Sequence, residues 1–365
     1  MRLSKRISLW LSGALRRRRQ TPPHQGREPQ THVIILDGTM SSLDAGYETN
    51  AGRTYKLLCE AEPDLSLYYE AGVQWRGLLS APDVMMGRGI NRQIRRAYGF
   101  LARRYRAGDR VFLLGYSRGA FAVRSLPGVI DRIGLLTPEN ASKENIEAIY
   151  GIYQANQQSE ADEKFAADHC HAETPIEMVG VWDTVKALGN GLPVFWRWSA
   201  PKYDFHNHDL GRSILHGFHA LARDETRNTY EPVLWKCPSD WQGRIEQVWF
   251  PGTHGDVGGQ LGGYEAARPL ANIPLVWMLE RVESCGLALP DGWRTRFELD
   301  PKAKSVGTWG GFGKLFLIRK RRKYADDTCE RLHHSVYTRE RRQPPKAEQG
   351  LAARLIQRWR GAHNA

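Results

Sequence analysis

The stretch GYSRG, residues 115–119, decides the fold of this chain. It ends an apolar run, RVFLLG at residues 110–115, that predicts a buried β-strand. Residues 118–130 begin as a predicted helix, which breaks near Pro127. A serine on a sharp turn between strand and helix needs small residues two places before and after it to avoid steric clashes. The stretch therefore predicts a strand–turn–helix unit with Ser117 at the turn.

Further strands place this unit in a larger sheet. Short apolar runs at residues 32–36, 176–182 and 245–250 predict three more buried strands. Helices are predicted at residues 88–106 and 270–287. Strands that alternate with helices favour a mostly parallel central sheet with helices on both faces, so we predict an α/β fold.

Reactive side chains follow all four predicted strands, at Asp37, Ser117, Asp183 and His254. In parallel sheets, functional groups gather at the carboxyl ends of the strands. A serine hydroxyl needs a base to take its proton, and His254 is the candidate. Asp183 can fix the tautomer of that histidine and stabilise its cation. The chain order serine, aspartate, histidine is that of the α/β-hydrolases.

Two other carboxylates are alternative partners for His254. Asp256 lies two residues after the histidine, and Asp224 lies in the run ARDETR. Each also has a structural interpretation: Asp256 would accept backbone N–H bonds in its glycine-rich loop, and Asp224 would form an ion pair with Arg227. The identity of the acid therefore stays open between Asp183, Asp256 and Asp224.

An activated serine also requires an oxyanion hole with two backbone N–H donors. Arg118 follows the nucleophile and is the first candidate, while Gly38 and Thr39, after the first strand, are candidates for the second. Asp37 is expected to order this loop. A metal site is the weaker alternative, because the chain has no H-x-x-x-H spacing of known zinc sites, and we expect no cofactor. Its ligands would be Asp37, Asp183, His254 and Asp256.

The net charge of +12 is concentrated at the two ends of the chain. Residues 1–28 carry +7 and residues 301–365 carry +11, so the middle is mildly acidic at −6. Residues 1–20 and 351–360 each place apolar side chains on one helical face and basic side chains on the other, which fits an anionic membrane surface. The alternatives are solvated tails or helices packed on the body. No nucleic-acid motif is present, so no specific nucleic-acid partner is predicted.

The five cysteines are scattered and odd in number, and no pair has CxxC spacing. This pattern predicts reduced thiols rather than a disulfide framework. The short N-terminal apolar stretch meets four arginines, residues 16–19, where a secretory signal would have its cleavage site. We therefore predict no cleavable signal and a cytoplasmic protein, with peripheral contact to the inner membrane as an extension of that prediction.

The composition along the chain predicts three parts. Residues 1–31 form a basic amphipathic tail and linker, and residues 341–365 form a second basic tail. Residues 32–340 form the hydrolase domain, with cap insertions at about 140–172 and 188–212.

Several motifs together resemble a known family. These are GYSRGAFAVRSLPGVI, GVWDTV, FHALARDETRNTYEPVLW, VWFPGTHGDVGGQ and the late HHSVYTR, in this order. The chain resembles, from about residue 32 to 339, the uncharacterised α/β-hydrolase domain family that includes the catalytic domain of type VI secretion phospholipase effectors. The resemblance implies an α/β-hydrolase fold and a triad of Ser117, Asp183 and His254. Contact-dependent secretion stays open as the alternative to a cytoplasmic location.

The resulting functional prediction is a serine hydrolase that cleaves carboxylic esters through an acyl-enzyme. A phospholipase or lipid esterase is expected, with a lipid or acyl ester as substrate. The alternative is a membrane-associated interaction protein built on a catalytically unused hydrolase scaffold.

Overall fold

The computed structural model describes residues 27–61, 65–72, 74, 88–155, 158–185, 210–237, 243–309, 318–324 and 327–341. The predicted amphipathic segments, residues 1–20 and 351–360, lie outside these residues, as does most of the cap insertion predicted at 188–212. No helix among the described residues is both long and apolar enough to cross a bilayer.

The centre of the fold is one parallel sheet, which in the described residues has seven strands in the order β2-β1-β3-β4-β5-β6-β7. Every neighbouring pair is parallel. The prediction of an α/β-hydrolase-type fold is therefore confirmed. The strands are β1 Thr31–Leu36, β2 Ser66–Glu70, β3 Arg110–Tyr116, β4 Ile176–Trp182, β5 Ile214–Ala222, β6 Arg244–Phe250 and β7 Glu330–Leu332.

Helices cover both faces of this sheet. They are α1 Asn50–Ala61, α2 Arg88–Ala102, α3 Ser117–Arg132, α4 Lys143–Ala155, α5 Glu160–His169, α6 His254–Gly258, α7 Arg268–Ser284 and α8 His334–Glu340. Because successive strand residues point to opposite faces, Val33 and Ile35 pack with α1 and α7, whereas Ile34 and Leu36 pack with α2 and α3. Both faces of the strands are thus buried, which explains their nearly continuous apolar sequences.

Helix α3 runs through Pro127 to Arg132, so the predicted break near Pro127 was wrong. A proline inside a helix costs roughly 3 kcal/mol, since it removes one hydrogen bond and crowds the preceding turn. Here Leu126, Val129 and Ile130 are buried on either side of the proline. Burial of each such side chain stabilises the fold by about 1.5–3 kcal/mol, which offsets the cost.

The segment 140–172 also contributes to the core. Its helix α4 packs against α2 and α3 and buries Ile146, Ile149, Tyr150 and Tyr153 in the same apolar layer. This part of the predicted cap therefore lies on the helical layer that covers one face of the sheet.

Cys237 and Cys329 form a disulfide, so the prediction of reduced thiols was wrong for this pair. The cysteines are 92 residues apart in the chain, and their α-carbons lie 6.2 Å apart. Cys329 directly precedes β7, which pairs with β6, and Gln247 of β6 donates its backbone N–H to the carbonyl of Cys329. Sequence spacing could not reveal the bond, because strand pairing places Cys329 beside Gln247, and hydrogen bonds between Gln247 and the Trp235 backbone hold the segment that carries Cys237 there. Cys59, Cys170 and Cys285 are free thiols.

Candidate active site

Ser117 occupies a strained turn between β3 and α3. Its φ of +57° lies in the left-handed region, which a residue other than glycine adopts at a cost of order 1–3 kcal/mol. The turn needs both flanking glycines. A Cβ on Gly115 would lie 2.8 Å from the Ala120 α-carbon, and one on Gly119 would lie 2.1 Å from the Leu36 carbonyl oxygen. The G-x-S-x-G spacing is thus a steric requirement of this turn.

A continuous chain of hydrogen bonds joins the three residues predicted as a triad. Ser117 Oγ lies 2.9 Å from Nε2 of His254. The other ring nitrogen, Nδ1, lies 2.6 Å from Oδ2 of Asp183. All three side chains are buried, and Ser117 is the most exposed at 7%. The structure therefore brings these residues together in the order that a serine–histidine–aspartate relay requires.

His254 is fixed on both sides of its ring. The Tyr116 ring lies 4.9 Å from it and the Tyr230 ring lies 4.7 Å away, centroid to centroid. The Tyr116 hydroxyl donates to the carbonyl of His254, and the histidine backbone N–H donates to Glu225. The backbone and the ring are therefore held independently, which leaves the imidazole one orientation.

Burial and charge set the protonation of the relay in opposite directions. Burial lowers the pKa of His254, and the neighbouring Asp183 carboxylate offsets this only in part. Burial alone would raise the pKa of Asp183, but Arg322 and His254 more than offset it and hold the pKa below its usual range. At neutral pH the site therefore contains an ionised aspartate beside a neutral imidazole, the state of a general base.

Arg322 is the partner of this site that the sequence analysis missed. Its guanidinium binds both carboxylate oxygens of Asp183, with Nη1 at 2.6 Å from Oδ1 and Nη2 at 3.0 Å from Oδ2. Its side chain is only 5% exposed. In the sequence Arg322 lies within the basic run RKRRK, residues 319–323, and no sequence feature distinguishes it from its basic neighbours.

Neither alternative acid contacts the imidazole. Asp256 accepts hydrogen bonds from the backbone of Thr253 and Val306 and from the Ser305 hydroxyl, so it orders the loop that begins α6. Asp224 accepts the backbone N–H of Gly252 at 2.7 Å.

The predicted ion pair between Asp224 and Arg227 is replaced by other pairs. Asp224 pairs with Arg223, whereas Arg227 pairs with the buried Glu225 at 2.7 Å. The prediction of an Asp224–Arg227 pair was therefore wrong, because Glu225 points inward and takes the arginine.

The loop after β1 lies beside the nucleophile. A Cβ on Gly38 would come within 3.4 Å of the Ser117 Cβ, so the backbone approaches the serine closely. The Gly38 N–H donates to Oδ1 of Asp37, and the hydroxyls of Thr49 and Tyr69 donate to the other carboxylate oxygen, Oδ2. Asp37 therefore orders this loop, and burial raises its pKa to about 6. The Gly38 N–H is therefore already bound to the Asp37 carboxylate in this structure.

The alternative metal set is not brought together. Asp37 and Asp256 serve the loops described above, and the only group of three or more potential metal ligands within reach of one another in the described residues is Cys237, Asp327 and Cys329. Two of these three are the disulfide cysteines.

A parallel sheet with helices on both faces and a serine on a strained strand–helix turn defines an α/β-hydrolase. The family model "T6SS, phospholipase effector Tle1-like, catalytic domain" matches residues 30–281, which is more than half of the chain. The chain belongs to this family of the type VI secretion system.

Individual relatives are more distant. An uncharacterized protein of Saccharomyces cerevisiae is 27% identical over an alignment of 187 residues, and the match covers 43% of this chain and 27% of the yeast protein. The crystal structure of an uncharacterized protein from Pseudomonas aeruginosa aligns at 15% identity and a TM-score of 0.42, covering 75% of this chain and 49% of that one. The Tle1 effector bound to the VgrG spike aligns at 14% identity and a TM-score of 0.32, covering 64% of this chain and 52% of that one. The chain thus spans about a quarter to about half the length of these relatives.

Proposed function

We propose that this protein is a serine hydrolase that cleaves the carboxylic esters of phospholipids through an acyl-enzyme. The observation that carries the proposal is the hydrogen-bonded relay from Ser117 through His254 to Asp183. A buried imidazole that contacts a serine hydroxyl on one side and a carboxylate on the other is the arrangement that activates a serine.

In the proposed reaction, the Ser117 hydroxyl oxygen bonds to the ester carbonyl carbon while Nε2 of His254 takes its proton. The tetrahedral intermediate collapses, the bond to the alcohol oxygen breaks, and His254 returns the proton to the departing alcohol. Water then adds to the acyl carbon as His254 takes a proton from it. The bond to Ser117 breaks, the serine regains its proton, and the fatty acid leaves. Asp183 keeps the Nδ1 proton in place so that Nε2 is the base throughout.

The negative charge of each tetrahedral intermediate requires two aligned donors. We assign these to the backbone N–H groups of Arg118, at the N-terminus of α3, and of Thr39 in the loop after β1. The helix dipole of α3 adds positive potential at the same point, since Arg118 lies in its first turn.

The substrate class follows from family membership rather than from the relay. The family description names phospholipase effectors, so a membrane lipid is the proposed substrate and contact-dependent secretion the proposed route. We further propose that residues 1–31 and 341–365 are tails around one hydrolase domain. Their amphipathic patterns would bind an anionic bilayer surface. Deleting residues 1–28 and 345–365 should then weaken binding to phosphatidylglycerol vesicles, and unchanged binding would refute this role.

Hydrolysis of defined vesicles tests the proposed activity. Vesicles of phosphatidylethanolamine and phosphatidylglycerol are incubated with the full chain, with Ser117→Ala and with Ser284→Ala. The last variant changes an exposed serine at the end of α7. We expect fatty acid release by the full chain and Ser284→Ala only. A well-folded protein that releases no fatty acid from any vesicle would favour the unused-scaffold alternative.

A further inference from the structure

The basic run RKRRK, residues 319–323, does not behave as one solvated tail. Arg321 and Lys323 are exposed, whereas Arg322 turns inward and is almost fully buried on Asp183. Both Nη nitrogens of the Arg322 guanidinium donate to the Asp183 carboxylate, and they also donate to the carbonyl oxygens of Ala222 and Tyr230. One member of the run is thus part of the interior of the site.

Backbone hydrogen bonds hold the segment that carries Arg322 in place. Residues 318–320 run antiparallel to residues 226–228, where the Asn228 N–H donates to the Ile318 carbonyl and the Lys320 N–H donates to the Thr226 carbonyl. The Arg319 guanidinium adds bonds to the Thr308 carbonyl. The segment that delivers Arg322 is therefore docked on the loop after β5, and it lies beyond residues 30–281 of the family match.

We propose that Arg322 is a positioning residue of the active site, which holds the Asp183 carboxylate ionised and oriented toward His254 from a segment outside the matched catalytic region. The proposal rests on the proposed function, because it assigns a role within the same relay. A guanidinium that binds both oxygens fixes the plane of a carboxylate, which a single hydrogen bond does not.

The other charged and titratable groups around the relay do not replace this charge. Glu225 and Arg227 pair with each other at 2.7 Å. Burial lowers the pKa of His219 to about 3 and raises the pKa of Tyr116 well above its usual value, so both are neutral. The titratable or charged groups that interact with Asp183 or His254 are Tyr116, His219, Glu225, Arg227, Tyr230 and Arg322.

Removing the positive charge of Arg322 would lower the net charge around Asp183 and His254 by one unit. The Asp183–His254 pair would then bind a proton more tightly, wherever in the pair that proton resides. The acidic limb of the pH–rate profile would therefore move to higher pH. A purely structural role would lower the amount of folded enzyme without moving that limb.

The experiment measures the rate of labelling by a fluorophosphonate probe against pH, normalised to the final amount labelled, for the full chain and its variants. For Arg322→Met we expect a rate lowered about 10- to 100-fold, the range typical of partners that orient a functional side chain. The midpoint of the acidic limb should rise by about one pH unit. Arg321→Met removes the same charge from an exposed neighbour and should match the full chain.

A conservative variant covers the case in which Arg322→Met does not fold. Arg322→Lys keeps the charge but not the two-point contact, so its midpoint should stay at that of the full chain while its rate falls several-fold. The proposal is overturned if Arg322→Met labels at the same rate and midpoint as the full chain, or if Arg322→Lys does. A full chain that shows no labelling dependent on Ser117 would instead refute the proposed function itself.

Discussion

Nε2 of His254 lies 2.9 Å from the Ser117 hydroxyl, although 137 residues separate them in the chain. The contact arises because β3 and β6 end at the same edge of the sheet, with β4 and β5 between them. Asp183 follows β4 and reaches the same imidazole from that edge. Each of three strands therefore supplies one residue of the relay, and the rigid sheet holds the distances between these residues.

The pH dependence should follow the protonation of His254. Burial lowers the pKa of this imidazole from the ordinary 6.5, so it stays neutral and able to accept a proton to a lower pH than a free histidine. The labelling rate should therefore be lost as pH falls through a midpoint below 6.5. Measurement of labelling rates from pH 4 to 9 checks this, and a midpoint well above 6.5 would contradict it.

The two carboxylates near His254 should respond differently to neutralisation. Asp183→Asn removes the acceptor that fixes the imidazole tautomer and should lower the labelling rate of folded protein by about 10⁴-fold. Asp256→Asn weakens the cap of α6 and should cost about 1 kcal/mol of stability with a much smaller effect on rate. If the two folded variants lost the same fraction of the labelling rate, the assignment of Asp183 as the acid of the triad would be wrong.

The strained φ of Ser117 predicts an unusual order of stabilities. Ser117→Gly relieves the strain of the left-handed backbone, whereas Ser117→Ala keeps it. The free energy of unfolding of the glycine variant should therefore be about 1 kcal/mol higher than that of the alanine variant. Urea unfolding of the two variants gives the comparison. An alanine variant as stable as the glycine variant would show that the turn relaxes.

The Cys237–Cys329 bond should stabilise the β6–β7 edge of the sheet. A crosslink between residues this far apart typically contributes about 2–4 kcal/mol. Mild reduction, or the double change Cys237→Ser with Cys329→Ser, should lower the unfolding free energy by that amount. Cys59→Ser changes an exposed free thiol and is the matched control. Equal stability in oxidised and reduced protein would show that the bond does not contribute.

The long, apolar strands were predictable from sequence, because both of their faces are buried. Strands β1, β3, β4 and β6 match predicted runs to within one residue at either end. The sequence of residues 213–222 is only weakly strand- or helix-like, since Gly217 and two histidines interrupt its apolar residues, yet Ile214–Ala222 form strand β5. The edge strands β2 and β7 have only five and three residues, and such short strands carry too little pattern to recognise.

The residues joined in the relay were predictable because each follows a recognisable strand. Arg322 and the disulfide were not, since both depend on how the chain returns to the sheet after residue 300. Arg322 is chemically identical to Arg321 beside it, and only the docking of their segment on the loop after β5 separates a buried arginine from an exposed one.

The proposed function requires Ser117 to be an activated nucleophile. The most direct test is labelling of the full chain with a fluorophosphonate probe, followed by mass spectrometry to locate the modified residue, with Ser117→Ala and Ser284→Ala in parallel. We expect one label on Ser117, its loss in Ser117→Ala and its retention in Ser284→Ala. A well-folded protein that takes no label, or that is labelled equally after Ser117→Ala, would show that Ser117 is not an activated nucleophile.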